Sequence, residues 1–476
     1  MNELSLLSIL VVGVHLVGIA SAAHAVMNVQ SSRGAVAWSI SLVTFPWIAI
    51  PLYWIFGRNE FQGYAEALRS AFVEHQDIAH QAYQELRHHT TTSIPQPLAS
   101  LGELADRVAA IPFTSGNQVE LLINGDETFA AMLAAIEAAT DYILLQTYTL
   151  GDDRVGNAFR RALVEKAQQG VKVYLLYDGI GTRKLSRMYR QSLLRSGVLV
   201  NVFKSTKGKW NRWQINFRNH RKILIVDGAI AFVGGLNIAD EYMGYKPPLS
   251  PWRDTHLSVR GAAVQCLQGS FLGDWYWATR EVPEVSWEVL PRQGIDQTAF
   301  VLPTGPADRL PNCMLFFVNA INQAKHRLWL ASPYFVPDDS FLAALKLAAI
   351  RGVDVRILLP EHRDHFWVYF CAFSYYEEMQ MAGVKFYRYQ PGFMHQKVML
   401  IDDAIAAVGT VNLDNRSFFL NFEASVFVLS QPFIQDVEAM LLQDLKQCCL
   451  VETSEKTQPL WLRFTARVAR LLAPVL

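Results

Sequence analysis

The sequence has no excess of charge of either sign. Lys and Arg together number 43, and so do Asp and Glu, which gives a formal net charge of zero over 476 residues. A chain without a global positive field lacks the electrostatic signature of a nucleic-acid-binding protein. We therefore expect no nucleic-acid partner, and any anion that the protein binds must be held by a local site.

Cysteine is also scarce. The chain has five cysteines, an odd number, and none has the CxxC spacing of a zinc site or a redox motif. This pattern disfavours both a disulfide framework and a structural zinc site. We expect mostly small, buried cysteines in a protein that is kept in a reducing compartment.

Formal charge is absent from two long apolar segments near the N-terminus, 4–27 and 35–56. Each is long enough to cross a bilayer as a helix, which takes about 20 residues, and Pro46 and Pro51 predict a kink in the second. We interpret residues 1–57 as an anchor of two transmembrane helices. A cleaved signal peptide is the alternative for the first segment. It is disfavoured because no basic stretch precedes the segment and a second apolar segment follows closely.

The few charges beside these segments indicate an orientation. Arg33 lies in the short loop between them, whereas Arg58 and Arg69 follow the second segment and Glu3 precedes the first. The slight excess of positive charge after the second segment favours a cytoplasmic location for both termini, and with them for the part of the chain that follows.

The rest of the chain shows one pattern twice. A polar spacer and linker at 58–110 precedes two related segments, 111–290 and 291–458. Each contains apolar runs that alternate with helical stretches, which predicts α/β units around a largely parallel sheet. Each also contains two β-runs around a turn, at 222–235 and 397–410, so each sheet should be mixed. We expect two pseudo-symmetric α/β halves with a site at their junction.

Three segments leave alternatives open. Residues 204–218 combine basic and aromatic side chains, which fits either a solvated loop or a contact with an anionic lipid surface. The aromatic run at 366–376 fits either a helix core or a groove for lipid chains. Residues 459–476 place arginines among apolar residues. That pattern fits either a basic amphipathic helix on an anionic membrane or a helix packed on the preceding half.

One motif occurs once in each half with identical spacing. It reads His-x-Lys, four residues, Asp, six residues and Gly-[Gly/Thr]-x-Asn, with its polar residues at His220, Lys222, Asp227 and Asn237 and at His395, Lys397, Asp402 and Asn412. Because residues two apart in a strand share a face, the His and Lys of each copy point the same way. Such a pair at the mouth of an apolar, buried strand is costly unless a site uses it.

These side chains suit displacement at a phosphodiester. Ammonium and amide groups can donate to phosphate oxygens without a metal, and a lysine beside each histidine disfavours a bound cation, so we expect neither a metal nor another cofactor. One neutral imidazole can attack phosphorus while the other, protonated, donates to the leaving alcohol. Asp254 and Glu423 are candidates for the carboxylates that orient such imidazoles. Asp227 and Asp402, at the strand ends, also fit a structural role in holding the turn.

The paired motif resembles that of the phospholipase D superfamily. The WRDTH segment at 252–256, the NLDNRSF segment at 412–418 and the N-terminal apolar segments narrow the likeness to bacterial cardiolipin synthases. The resemblance implies condensation of two phosphatidylglycerol molecules to cardiolipin and glycerol through a phosphatidyl-histidine. It also implies a multi-pass protein of the bacterial inner membrane whose partners are anionic phospholipids.

By the same resemblance, the catalytic residues are those of the two motifs, with His220 as the nucleophile: His220, Lys222, Asp227, His395, Lys397 and Asp402. Asn237 and Asn412 would contact phosphate. Gly235 stands where many relatives have serine, so a hydroxyl contact is not expected there.

Two hypotheses of other classes compete with this one. A hydrolytic phospholipase D or a nuclease would use the same fold, but the anchored N-terminus and the neutral charge disfavour a nuclease. A non-catalytic membrane scaffold would have lost its chemistry, and the completeness of both motifs disfavours that.

Overall fold

A computed structural model of the protein describes residues 3–29, 31–57, 61–91, 94, 98–108, 111–207, 211, 214–290, 296–452 and 459–476. The tryptophans of the basic and aromatic loop, Trp210 and Trp213, lie outside the described residues, and so does Arg58. The two alternatives for that loop therefore stay predictions.

The N-terminal region forms three helices: α1 (Glu3–Asn28), α2 (Ser32–Thr44) and α3 (Pro46–Phe56). Among the described residues, one helix, Leu7–Asn28, is long and apolar enough to cross a membrane. The second predicted span is divided at Phe45, because Pro46 has no N–H to donate and restricts the residue before it. The kink predicted at Pro46 is thus a break between two helices. A continuous helix long enough to span a membrane is supported for the first segment only.

The three helices pack on one another through polar contacts as well as apolar ones. His24 Nδ1 lies 2.6 Å from the Tyr53 hydroxyl, and Trp54 Nε1 donates to Ser21 Oγ at 3.2 Å. Polar groups paired in this way can be accommodated in an apolar environment. Most other side chains of α1 are exposed and apolar, as a helix in contact with lipid would be.

The spacer is helical and packs on the body that follows: α4 (Tyr64–Glu74), α5 (Gln76–Arg87) and α6 (Ala99–Val108). The Phe61 ring lies 5.2 Å from that of Trp277 and 5.4 Å from that of Phe422. These two rings come from different copies of the repeat. The start of the spacer therefore contacts both halves.

The first half contains nine strands among its described residues, with four helices. The strands are β1 (Thr114–Ile123), β2 (Tyr142–Thr147), β3 (Lys172–Asp178), β4 (Leu199–Phe203), β5 (Arg218–Asn219), β6 (Ile223–Val226), β7 (Ile230–Gly234), β8 (Trp252–Arg253) and β9 (Thr255–Arg260). The helices are α7 (Asn124–Ala138), α8 (Arg154–Gln168), α9 (Arg187–Arg195) and α10 (Ala262–Thr279).

The second half repeats this order. Its strands are β10 (Gln297–Thr304), β11 (Arg327–Ala331), β12 (Phe335–Val336), β13 (Asp354–Pro360), β14 (Lys385–Tyr389), β15 (Phe393–Met394), β16 (Val398–Ile401), β17 (Ile405–Gly409), β18 (Leu413–Asp414), β19 (Asn421–Val428) and β20 (Cys448–Leu450). Its helices are α11 (Asn312–Gln323), α12 (Asp339–Ile350), α13 (Phe366–Met381), α14 (Asn415–Phe419), α15 (Gln431–Leu445) and α16 (Leu460–Leu471).

The strands of both halves join into one sheet. Its order is β20-β14-β13-β11-β16-β17-β19-β10-β1-β9-β7-β6-β2-β3-β4. In each half three neighbouring strands of this order are parallel (β2, β3, β4 and β11, β13, β14), and the remaining neighbours in the order pair antiparallel. The halves meet where β1 pairs antiparallel with β10. Two α/β halves with mixed sheets, predicted from the repeat, are confirmed.

The part of the sheet in the first half is covered on both faces. Ile223 and Ile225 of β6 pack in the cluster that includes α10, whereas Leu224 and Val226 pack against α7, α8 and α9. This alternation follows from the two-residue period of a strand. It explains why the run after each His-x-Lys is uniformly apolar.

The C-terminal helix α16 packs on α13. The Arg470 guanidinium lies 4.5 Å from the Tyr375 ring centroid, and Ala466 and Ala469 are buried. The packing predicted as one alternative is therefore present. However, Trp461 and Phe464 remain 62% and 72% exposed, so an apolar edge of the helix is not covered by protein.

Candidate active site

Two short strand pairs bring the halves together around the motif. β5, which precedes His220, pairs with β19 of the second half, and β15, which precedes His395, pairs with β8 of the first. The backbone N–H of His220 donates to the Phe422 carbonyl at 2.9 Å, and that of His395 donates to the Arg253 carbonyl at 2.7 Å. Each histidine is thus anchored to the strand of the opposite half.

The exchange of strands pairs each imidazole with a carboxylate from the other half. His220 Nδ1 lies 2.9 Å from Glu423 Oε2, and His395 Nδ1 lies 2.8 Å from Asp254 Oδ2. Both carboxylates are fully buried. The sequence singled out these two residues, but each lies downstream of the histidine in its own copy, and the structure pairs them across the copies.

This geometry determines the tautomer of each ring. A carboxylate at Nδ1 favours the proton on that nitrogen, which leaves Nε2 with its lone pair available. Both the imidazolium and the neutral Nδ1–H tautomer can donate a hydrogen bond to the carboxylate. Each histidine can therefore serve as a nucleophile or as a proton donor through Nε2.

The two lysines lie beside the imidazoles. Lys222 Nζ donates to the His220 carbonyl at 2.7 Å, and Lys397 Nζ donates to the His395 carbonyl. Burial lowers the pKa of Lys222 to about 7 and that of Lys397 to about 8. The carboxylates of Glu423 and Asp254 act in the opposite direction on both lysines, and the two ammonium groups can donate hydrogen bonds to a bound anion.

The charges of the cluster act on one another. Burial lowers the pKa of both imidazoles below the usual value for histidine, and the ammonium groups of Lys222 and Lys397 lower both further, against the opposing effect of the carboxylates. Since each lysine affects both rings, the four groups form one site. Without an anion, both imidazoles are neutral at neutral pH, and a bound phosphodiester would favour protonation of one of them.

The carboxylates remain ionised in this environment. Burial raises the pKa of Asp254 and Glu423, but the paired imidazole and the nearby lysines more than offset it, so that each pKa lies below its usual value. Glu423 also accepts a hydrogen bond from the Thr410 hydroxyl at 2.5 Å.

Position 235 shows why the two motifs differ. A Cβ atom at Gly235 would lie 1.9 Å from Asp254 Oδ1, so a side chain there would displace the carboxylate that orients His395. The corresponding Thr410 instead contacts Glu423. The close approach of Asp254 accounts for a glycine at this position.

The two asparagines differ in their partners. Asn237 Oδ1 accepts from the Thr149 N–H at 3.0 Å, and its Nδ2 donates to the Tyr242 hydroxyl at 2.6 Å. Asn412 Oδ1 is buried and has no hydrogen-bond partner among the described residues. Both amides lie beyond the glycine turns, as the motif spacing predicts. A phosphate contact for either one stays a prediction.

Asp227 and Asp402 lie away from the imidazoles and ammonium groups of the site. Asp227 accepts hydrogen bonds from the backbone amides of residues 140–142, and Asp402 accepts from those of residues 325–327. Each aspartate lies at the far end of its strand, roughly 15 Å from the lysine at about 3.3 Å per residue. These contacts support the structural alternative for both aspartates, and a catalytic role for either one stays a prediction.

Two buried ion pairs behind the histidines were not predicted. Arg221 Nη1 donates to Asp274 at 2.7 Å, and Arg253 binds Asp444 through two nitrogens, each at 2.8 Å. Arg221 follows His220 and Arg253 precedes Asp254 in the sequence. Each arginine side chain therefore points to the face of the chain opposite to that of the site residue. The available signal was an arginine next to a site residue in each case, together with the lone aspartate of the apolar helix α10.

Aromatic rings line the site. The Tyr148 ring lies 5.2 Å from that of His220, and the Trp252 and Tyr242 rings lie 5.1 and 5.9 Å from that of His395. Rings around an ionic cluster exclude water and strengthen its interactions.

In the part of the chain that the structure describes, no group of three His, Cys, Asp or Glu side chains could hold a metal ion. Independence from metals stays a prediction.

Both copies of the repeat match a known family. The family model described as cardiolipin synthase, PLD-like domain, matches residues 132–246 and 317–445. The first of these ranges contains the motif around His220 and the second the motif around His395. Both copies of the repeat are therefore recognised as the same kind of domain.

Curated relatives match over nearly their full length. The cardiolipin synthase A of Pseudomonas fluorescens is 45% identical over 97% of this chain and 97% of its own. That of Pseudomonas aeruginosa strain PAO1 is 44% identical over 100% of this chain and 97% of its own. Among solved structures, phosphatidylserine synthase of Haemophilus influenzae Rd KW20 aligns with a TM-score of 0.60 at 13% identity, over 79% of this chain and 100% of that one. At that identity the likeness supports the fold.

Proposed function

The chain belongs to the cardiolipin synthase family with phospholipase D-like domains, and from this premise we propose that it transfers a phosphatidyl group from one phosphatidylglycerol molecule to another, releasing glycerol. The single observation that carries the proposal is the cluster of two imidazoles, each held at Nδ1 by a buried carboxylate, beside two lysines. The family resemblance inferred from the paired motif is confirmed by the relatives.

In the first half-reaction, Nε2 of one neutral imidazole attacks phosphorus, and a P–N bond forms as the P–O bond to the leaving glycerol breaks. The other imidazole, protonated, gives its proton to the glycerol oxygen. Lys222 and Lys397 stabilise the negative charge that spreads over the phosphoryl oxygens. Glu423 and Asp254 keep the rings oriented and stabilise the imidazolium.

The second half-reaction reverses these roles. A hydroxyl group of the second phosphatidylglycerol attacks phosphorus, its proton passes to the imidazole that is now neutral, and the P–N bond breaks. The products are cardiolipin and the free histidine.

We propose His220 as the nucleophile. Each imidazole has a carboxylate at Nδ1 and a lysine two residues on, so these contacts do not distinguish the two, and the assignment rests on the family resemblance. Trapping a phosphorylated peptide from the enzyme decides it. Label on the peptide that contains His220 supports the assignment, and label on that of His395 reverses the two roles.

The distinction between synthase and hydrolase depends on which acceptor reaches the phosphatidyl-histidine. Aromatic rings around the histidines limit access of water. An apolar N-terminal helix would hold the active site at the bilayer, where phosphatidylglycerol is abundant. Both effects favour transfer to a lipid alcohol.

The test is incubation of the purified enzyme with radiolabelled phosphatidylglycerol in vesicles, with and without EDTA. We expect cardiolipin and free glycerol as the main products in both conditions, because lysine side chains supply the charge that a metal would supply elsewhere. Phosphatidic acid as the dominant product would show a hydrolase. Loss of turnover in EDTA that one divalent ion restores would contradict the metal-free mechanism.

We also propose that the anchor crosses the bacterial inner membrane twice, with the catalytic part in the cytoplasm. The division at Phe45 leaves α2 and α3 together long enough for a second, bent crossing. In that arrangement the start of α2, with Arg33, lies across the bilayer, and the exposed ion pair that Arg33 forms with Asp339 at 3.4 Å in this structure would be broken. Such an exposed pair contributes little free energy. A cysteine at Ser31 tests this: labelling from the outer face of intact cells supports a double crossing, and labelling only after lysis contradicts it.

A further inference from the structure

The two copies of the motif differ in charge around the histidines. Arg218 lies two residues before His220, whereas Phe393 occupies the same position before His395. Arg416 lies four residues after Asn412, whereas Glu241 occupies the same position after Asn237. The pseudo-symmetric site therefore has a cationic side near His220 and an aromatic side near His395.

Arg218 faces the same side of the chain as His220. Asn219 and Arg221 both donate to Asp274 Oδ2, at 2.9 and 2.7 Å, so the odd-numbered side chains of this segment point away from the site. Because side chains alternate in an extended chain, Arg218 and Lys222 point with His220 towards it.

Arg416 reaches the same segment from the second half. Its Nη1 donates to Asn216 Oδ1 at 2.8 Å and its Nη2 to the Asn216 carbonyl at 2.6 Å. Arg218 Nη1 donates to the neighbouring Phe217 carbonyl at 2.7 Å. Two guanidinium groups from different halves are therefore held beside one short segment, and the charge of Arg218 contributes, after burial, to lowering the pKa of Arg416.

Neither arginine forms an ion pair with any carboxylate of the described residues. The two carboxylates that lie nearby are already occupied by backbone amides: Asp178 accepts from those of Ile180, Gly181 and Asn219, and Asp414 accepts from that of Ser417. Two half-buried cations without a direct ion-pair partner are unfavourable. A bound anion would remove this penalty.

The pair lies next to the reacting groups. The Tyr148 ring is 5.2 Å from the His220 ring and 5.4 Å from Lys222 Nζ, and the charges of Arg218 and Arg416 both act on its hydroxyl group, whose pKa burial raises. Tyr148 thus stands between the imidazole and the two arginines.

We propose that Arg218 and Arg416 form a second anion subsite, which binds the phosphodiester of the acceptor lipid while its hydroxyl group attacks the phosphatidyl-histidine. This subsite rests on the proposed function, because a transfer between two phosphatidylglycerol molecules yields a product with two phosphates joined by a glycerol bridge. The histidines and lysines bind one phosphate, and the other needs its own cations close by. Paired guanidinium groups suit a phosphodiester because their planar N–H groups bind it bidentately.

The test compares two acceptors for the same intermediate. Full-length enzyme in phosphatidylglycerol vesicles is supplied with labelled glycerol, and cardiolipin formation is measured against incorporation of label into phosphatidylglycerol. The first reaction needs an anionic acceptor, whereas the second uses a neutral alcohol. We expect Arg218→Gln to lower cardiolipin formation about tenfold more than glycerol exchange, because it removes charge-assisted hydrogen bonds to the acceptor alone.

Conservative variants and a control separate binding from folding. Arg218→Lys and Arg416→Lys keep the charge and should retain part of the preference for the anionic acceptor. Arg161→Gln, an exposed arginine on α8, should leave the ratio of the two products unchanged. Equal losses of both reactions in Arg218→Gln, or no loss, would overturn the subsite.

Adding inorganic phosphate distinguishes a site for the phosphate of the acceptor lipid from a site for free phosphate. If the acceptor phosphate binds here, inorganic phosphate inhibits cardiolipin formation more than exchange in the wild type, and Arg218→Gln abolishes this difference. Inhibition of both reactions alike, with an unchanged product ratio in the variant, identifies a site for free phosphate and overturns the proposal. Failure of the proposed function is visible separately, since the wild type would then form phosphatidic acid without cardiolipin.

Discussion

The histidines of the two motifs are nearly equivalent in geometry yet would perform different tasks in each half-reaction. Each has a carboxylate on Nδ1 at 2.8–2.9 Å and a lysine two residues on. The difference between nucleophile and acid therefore depends on which Nε2 faces phosphorus and which faces the leaving oxygen when the lipid is bound.

We expect that His220→Ala and His395→Ala each lower turnover by at least about a thousandfold while the protein remains folded and membrane-bound, because neither imidazole can perform the task of the other. The measurement is product formation from labelled phosphatidylglycerol by each purified variant. His326→Ala, outside the site, is the control. Near-normal turnover by either motif variant would contradict the assignment.

The buried lysines predict a pH dependence of anion binding. Burial lowers the pKa of Lys222 to about 7 and that of Lys397 to about 8, so both ammonium groups are lost as the pH rises through this range. Sulfate stays a dianion throughout, and we expect its inhibition constant to rise by about tenfold or more from about pH 7 to about pH 9. Lys222→Arg should show a weaker dependence, because guanidinium does not titrate there. A constant that does not change with pH would show that the lysines keep their charge.

At the scale of secondary-structure elements, the aspartates of the motifs connect strands. Asp402 has φ = 50° and ties the hairpin after β16 to the start of β11 through three backbone amides. Asparagine tolerates this backbone conformation but accepts fewer and weaker hydrogen bonds.

We therefore expect Asp402→Asn to lower the free energy of unfolding by about 1–3 kcal/mol, with little loss of activity per folded molecule at low temperature. Thermal inactivation and turnover are measured on the same preparation. Asp403→Asn is the matched control, since that neighbour is mostly exposed. A large loss of turnover without a loss of stability would restore a catalytic role to Asp402.

Helix α16 combines packing with an exposed apolar edge. Arg470 stacks on Tyr375 of α13, while Trp461 and Phe464 point outward. The exposed rings of Phe366 and Trp367 at the start of α13 belong to the same neighbourhood, because Phe370 contacts both Phe366 and Trp461. Apolar side chains of this kind suit the interface of a membrane.

We expect the double substitution Trp461→Ser, Phe464→Ser to weaken binding of protein lacking residues 1–57 to anionic vesicles by about tenfold, because it removes most of the exposed apolar area of α16. Vesicle sedimentation measures this. Met381→Ser is the control, since Met381 is 78% exposed at the other end of α13. Unchanged binding by the double variant would leave α16 with a packing role alone.

At the scale of the whole molecule, the site exists only when both halves are folded together. Each imidazole takes its carboxylate from the opposite half, and the β5–β19 and β8–β15 pairs fasten the exchange. Among the described residues neither half contains a complete His–carboxylate pair, so each half needs the other to complete the site.

Transfer between similar phosphodiesters changes little free energy, so the direction of the reaction depends on concentrations. We expect added glycerol to regenerate phosphatidylglycerol from cardiolipin, by attack of glycerol on the same phosphatidyl-histidine. The measurement is the conversion of labelled cardiolipin in vesicles at increasing glycerol. Formation of phosphatidic acid instead, unaffected by glycerol, would identify water as the true acceptor.

The two α/β halves and the histidines and lysines of the motif could be predicted from the sequence alone. Strand and helix periodicities are local, and the spacing of His, Lys and Asn within each motif covers a single strand, turn and strand, so these features could be predicted without knowing what packs against them. The roles of Asp254 and Glu423 could be suggested from their types. Their partners could not, because each lies in the other half.

The folded structure added features that no local pattern contains. It paired His220 with Glu423 and His395 with Asp254, moved Asp227 and Asp402 to structural positions, and revealed the ion pairs behind the histidines. It also divided the second apolar segment at Phe45. The physical reason is the same for the pairings: a hydrogen bond between residues distant in sequence depends on how the strands of two halves are exchanged, and no local pattern records that exchange.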